Sequence, residues 1–172
     1  VNSLEEMVDT VKAITLIPSG VGYNAGLFAA TGGHSTEMAN VFSKVGFRVS
    51  PLTTGSYQEL SSFFNLIGGN YVNPIQGSVQ HFDRIIDVLR RDENVDVVAV
   101  ELLAAHLNGN SEFFTGKIEV IKNFQEQSCK PIIAIITNID PKVDSSAIES
   151  IDKKFNLEKI PTFHSFERGA MS

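Results

Sequence analysis

Apolar residues recur along this chain at two alternating periods. From Ser3, the positions Leu4, Met7, Val8 and Val11 follow helical spacing, with Ser3 as N-cap and Glu6 three residues later completing a capping box. A loop rich in Gly, Pro, Ser and Asn follows, "IPSGVGYNAG". The pattern then switches to short apolar runs separated by helical stripes. Leu27 to Ala30 reads as a first strand, and Met38, Val41, Phe42 and Val45 as a helix ended by Gly46. "FRVSPL" (47–52) reads as a second strand stopped by Pro51, and "YQELSSFFNLI" (57–67) as a helix through Leu60, Phe63, Phe64 and Ile67. An irregular piece, "GGNYVNPIQGS" (68–78), separates it from a long helix that starts at Ser78 and carries Val79, Phe82, Ile85, Ile86 and Leu89. "VDVVAVEL" (95–102) and "PIIAIIT" (131–137) are nearly unbroken apolar runs, as expected of strands covered on both faces. A helix over 111–127 lies between them, a helix capped by Asp144 follows, and "IPTFHS" (160–165) is the last strand.

Strand alternating with helix, with Val/Ile/Ala-rich strands, predicts a parallel sheet between two helical layers. Right-handed crossovers make this an α/β doubly wound, three-layer α/β/α sandwich with flavodoxin-like strand order. Ligands of such sheets bind beyond the carboxyl ends of the strands, beside the first one.

The 172 residues suffice for one domain with a full core, 42% of them hydrophobic and 20% charged. A formal net charge of -6 argues against a general nucleic-acid or anionic-membrane binder. It leaves room for a local anion site built from backbone dipoles. The single cysteine, Cys129, has no partner for a disulfide or a thiolate metal site, so a reducing, cytoplasmic setting is expected. No apolar run reaches the length of a membrane span, and "VNSLEEMVDTVKAI" lacks the pattern of a signal peptide. That start also lacks an initiator methionine, consistent with a piece of something longer.

The chemistry concentrates at "TGGHST" (31–36), where the chain leaves strand one and enters a helix. The first N–H groups of a helix have no internal partner and sit at the positive end of its dipole. Gly32 and Gly33 would let a phosphate approach bare backbone, Ser35 and Thr36 could add hydroxyl hydrogen bonds, and His34 would act as a neutral donor rather than a covalent carrier. A strand–helix turn with nothing bound would use the same residues. The turn lacks the Gly-Lys-Ser/Thr of a Walker loop, and Thr36 stands where the dinucleotide pattern needs a third glycine. Asn73, in the Asn-Pro turn of "GGNYVNPIQG", is a second loop candidate that could orient a ligand or a neighbouring loop. Glu101, Asn138 and Asp140 end strands at the same sheet edge without a spacing that singles them out. His81, His106 and His164 have no carboxylate or cysteine at ligand spacing, so no metal site is expected.

The order of these pieces resembles the NDP-forming (ADP-forming) acyl-CoA synthetases of the succinyl-CoA synthetase superfamily. "VNSLEEMVDTVKAI" looks like the helix closing that family's preceding domain. Gly32-Gly33-His34-Ser35 falls at its Gly-Gly turn, "KVGFRVSPLT" at its next strand, and "NYVNPIQG" at its Asn-Pro-Val-Asp turn. "DENVDVVAVEL", "CKPIIAI" and "KIPTFHSFERGAMS" resemble later segments. The resemblance implies a helix and linker over 1–23 and a flavodoxin-like CoA-ligase domain over 24–172. In such enzymes acyl-CoA, ADP and phosphate interconvert with acid, CoA and ATP through a phosphohistidine on the preceding domain. The turn Gly32–Ser35 would then help hold that phosphoryl group or a free phosphate or sulfate. CoA, ATP/ADP and Mg would be handled by CoA-binding and ATP-grasp domains or subunits of the parent enzyme, and the chain alone would be inactive. No Ser-His-Thr-Gly loop is present, Gln76 replaces the acid of the Asn-Pro turn, and Gly169 interrupts the usual Glu-Arg-Ala. Two other classes remain open: an FMN- or small-molecule-binding flavodoxin-like module, and a non-catalytic interaction domain.

Overall fold

A computed structural model describes residues 3–17, 22–64, 69–77, 79–107 and 111–172. Five parallel strands form one sheet: β1 (Ala25–Ala29), β2 (Ile75–Gln76), β3 (Val97–Leu103), β4 (Ile132–Thr137) and β5 (Thr162–Phe163). Their order is β2-β1-β3-β4-β5, the flavodoxin-like arrangement with its switch point beside β1. Alternate residues of each strand serve opposite faces. Leu27, Val97, Ala99, Ile133 and Ile135 point to one face, which is covered by α1 (Leu4–Leu16), α2 (Gly32–Lys44) and α7 (Phe166–Met171). Phe28, Val98, Val100, Ile132 and Ala134 point to the other, under α3 (Thr54–Phe63), α4 (Phe82–Arg91), α5 (Ser111–Gln127) and α6 (Ser145–Leu157).

The predicted caps hold the helices. Ser3 Oγ accepts from Glu6 N at 3.1 Å, and Asp144 accepts from Ser146 N at 3.0 Å. α2 ends as expected at Gly46, whose φ of +104° lets Phe47 N–H reach back to Phe42 O at 3.1 Å. The helix expected over 57–67 instead spans Thr54–Phe63, begun by Thr53, and residues 65–67 lie outside the described residues. The helix expected from Ser78 begins as a 3-10 turn over Val79–His81 and becomes α-helical at Phe82.

One strand was misplaced by the sequence. Residues 47–52 are not a strand: Arg48 makes a single bridge to Asn24 and no other residue of the segment pairs as a strand. The edge position beside β1 is filled instead by the segment read as irregular. Ile75 and Gln76 pair with Phe28 and Ala29 after a cis Asn73–Pro74 bond. Between Arg48 and Ile75 the side chain of Asn73 stands in for a strand: Oδ1 accepts from Leu27 N at 2.9 Å, and Nδ2 donates to Ala25 O and Ser50 O at 2.8 Å. A buried backbone edge is thus paired by an amide that imitates a peptide group. The short helix α7 went unpredicted; Ser165 caps it by accepting from Arg168 N at 3.2 Å. Gly169 has a packing reason, since a Cβ there would lie 2.9 Å from Ile135 Cδ1.

Candidate functional site: a glycine turn over a buried carboxylate

β1 delivers the chain to the sheet's carboxyl edge, and Thr31 turns it into α2. The Thr31 side chain accepts from His34 N at 3.2 Å, and Ser35 N–H makes the first intrahelical bond, to Thr31 O at 2.9 Å. The N–H groups of Gly32 and Gly33 are left without a partner among the described residues, as helix geometry dictates. The two glycines differ. A Cβ on Gly32 would come within 3.1 Å of Gln76 Oε1, whereas a Cβ on Gly33 would meet nothing within 4 Å. Neither residue is among the glycines with positive φ, so the turn does not require glycine for its backbone angles.

The two hydroxyls do not serve as the sequence suggested. Ser35, which is buried, donates from Oγ to Gly32 O at 2.9 Å, and Thr36 Oγ1 donates to the same carbonyl at 3.0 Å. Their protons are committed inward, leaving the backbone as the donor surface. Asn73 belongs to the sheet edge described above and has both amide protons committed there.

Beneath the turn lies a group that sequence reasoning placed but could not pair. Glu101 is 1% exposed on β3 and takes part in three hydrogen bonds. Ala30 N donates to Oε2 at 2.9 Å, while Thr137 Oγ1 and His34 Nδ1 meet Oε1 at 2.6 and 2.5 Å. The His34 ring also packs edge-on against Phe166 of α7, with centroids 5.8 Å apart. The signal available in sequence was a carboxylate inside an otherwise apolar strand, which must be paired if buried. Its partner, 67 residues away, follows only from the fold.

The other candidates do not join this cluster. Asn138 Oδ1 accepts from Asp140 N, and Asp140 Oδ1 from Lys142 N, within their own loop. His81 packs on Phe63 and His106 on Phe113. His164 pairs with Asp152 at 3.1 Å, a contact that sequence spacing missed. Burial pushes the Asp152 carboxyl up, but hydrogen bonds from His164 and Thr162 and the charges of His164 and Lys12 hold it below the usual carboxylate range. Among the described residues, no three His, Cys, Asp or Glu side chains gather to hold a metal ion, and no helix is long and apolar enough to cross a membrane.

No family model matches the sequence, and no curated protein does. Solved structures do match the fold. PH0766 from Pyrococcus horikoshii OT3 superposes with a TM-score of 0.76 at 22% identity, covering 99% of this chain and 38% of that one. The apo form of a dinucleotide forming acetyl-coenzyme A synthetase 1 from Ca. Korarchaeum cryptofilum superposes with a TM-score of 0.75 at 18% identity, covering 99% of this chain and 36% of that one. The chain thus has the fold of one part of each of these two larger proteins, and spans well under half the length of either.

Proposed function

We propose that this chain is one domain of an NDP-forming acyl-CoA synthetase and that its turn Gly32–Ser35 receives the phosphoryl group carried by a histidine of a neighbouring domain. The observation that carries this reading is Gly33. Glycine loses more backbone freedom on folding than alanine, at a cost of about 0.5–1 kcal/mol in a helix interior and less at the second helical position, which Gly33 holds. Here neither backbone angle nor packing asks for it, since a Cβ would meet nothing within 4 Å. A bare backbone kept at that expense, next to unpartnered N–H groups on a 13-residue helix, suits the close approach of an anion from outside. The likeness in fold to an acetyl-coenzyme A synthetase supports the class of enzyme.

In this reading the domain performs no bond-breaking step of its own. The amides of Gly32 and Gly33 and the helix dipole offset the phosphoryl charge, and the ring of His34 lines the same turn. CoA, the nucleotide and its Mg belong to CoA-binding and ATP-grasp domains or subunits of the same enzyme.

The test uses the longest polypeptide whose reading frame contains this sequence. With acetyl-CoA, ADP, phosphate and Mg it should form ATP. Gly33→Val should lower that rate by at least about tenfold, since an interaction with transferring phosphoryl contributes on that scale, and the 172-residue chain alone should form none. Turnover indifferent to Gly33 would remove the turn from the reaction. A polypeptide that, together with any subunit that co-purifies with it, processes no acyl-CoA would remove the enzyme class.

A further inference from the structure

The cluster under the turn decides which nitrogen of His34 carries a proton. Glu101 is buried on β3, and each neighbour that reaches its carboxylate has a hydrogen to give: Ala30 through its backbone N–H, Thr137 through its hydroxyl, His34 through Nδ1. An ionised carboxylate only accepts, so the ring must meet it with Nδ1–H. In a neutral imidazole the other nitrogen is then a lone pair. We infer that Glu101 is a positioning residue that holds His34 in the Nδ1–H tautomer, so that Nε2 accepts while the ring is neutral and donates only once the ring has taken up a proton.

This reverses the neutral donor expected from sequence, because the donor nitrogen of the neutral ring is the one facing the buried carboxylate. It has a consequence for the anion site, and this part rests on the function proposed above. An anion seated at the turn gains a hydrogen bond from His34 only when the ring is an imidazolium, so its binding is linked to the uptake of one proton. The surroundings allow the effect to be attributed to this ring. Glu101 is the charged group in contact with it, and Thr137 on β4 reaches it only through the shared Oε1. On α7 the ring meets Phe166, while the neighbouring Glu167 is exposed and Arg168 is bound to Asp9. Gln76, beside Gly32 on β2, is uncharged, and Glu37, one turn along α2, is exposed.

Two measurements on the 172-residue chain test this. Long-range proton–nitrogen NMR at a pH high enough that the ring is neutral, with the His34 signals identified by their loss in His34→Gln, should show a protonated Nδ1 and an unprotonated Nε2. In Glu101→Gln, whose amide can face the ring as donor or acceptor, the Nδ1–H preference should be lost; the circular dichroism of that variant reports whether it folds. A neutral wild-type ring protonated at Nε2 instead of Nδ1 overturns the inference whether or not the variant folds. Sulfate, a dianion throughout the range, then serves as probe. Its affinity should rise by up to about tenfold per pH unit as the pH falls while the ring is neutral, and level off once the ring is charged. His34→Gln should bind without that slope. Sulfate binding with no slope, or with the same slope in His34→Gln, overturns the proton linkage. Absence of sulfate binding at every pH overturns the anion site of the proposed function, and the NMR result alone then decides the role of Glu101.

Discussion

α1 and α2 are each 13 residues long and lie on the same face of the sheet, yet α2 turns Met38, Val41 and Phe42 inward where α1 turns Asp9 and Ala13. The apolar stripe of α1 faces out: Leu4 is 72% and Ile14 75% exposed, and Met7, Val8 and Val11 are about half exposed. α2 is therefore held by hydrocarbon. α1 is held by directed polar contacts: the guanidinium of Arg168 donates to both oxygens of buried Asp9, at 2.5 and 3.0 Å, and Lys12 Nζ donates to Thr162 O at 2.7 Å. A periodic apolar stripe shows that a helix exists, but not which side of it the domain uses.

The contrast can be broken at either helix. The largest effect is expected at Phe42, which is fully buried and packs on Phe47 at 5.4 Å. Phe42→Ala should lower the unfolding free energy measured in urea by about 3–5 kcal/mol, through lost transfer energy and a cavity. Arg168→Ala should cost less, about 2 kcal/mol, because it leaves the Asp9 carboxylate buried without its partner while Arg168 itself keeps some solvent contact. The loss should be local. Amide exchange should quicken along α1 and stay slow in β3 and β4. Unchanged protection of α1 in that variant would refute anchoring by charge. Val11→Ser, on the outward stripe, is the control in the same experiment and should stay within about 0.5 kcal/mol of wild type.

What could be read from the residues follows the same division. β1, β3 and β4 were legible because strands covered on both faces are continuous apolar runs, and the helices were legible from period and caps. The segment 47–52 has strand-like residues, but the edge of β1 it would occupy is taken by the Asn73 side chain and by Ile75–Gln76, a competition that no local pattern records. At the site, Gly32 to Ser35 lie at the sheet edge where the alternation placed them. The Ser35 and Thr36 hydroxyls bond back to Gly32 O, three and four residues away, whereas the pairing of His34 with Glu101 depends on side chains brought together by the crossover from β1 to β3. Local rules locate the turn and allow its hydroxyls to bond back to Gly32 O; the carboxylate beneath it is a tertiary fact.

The central claim is that Gly33 is bare for an incoming anion rather than for the fold. It is tested most directly by titrating phosphate into nitrogen-labelled wild-type chain and Gly33→Ala while following the amides of residues 32–34 by NMR. The account expects those amides to shift saturably in wild type, and Gly33→Ala to bind at least about tenfold more weakly although it is more stable by up to about 1 kcal/mol. Wild-type amides that ignore phosphate, or a Gly33→Ala protein that binds it equally well, would contradict it.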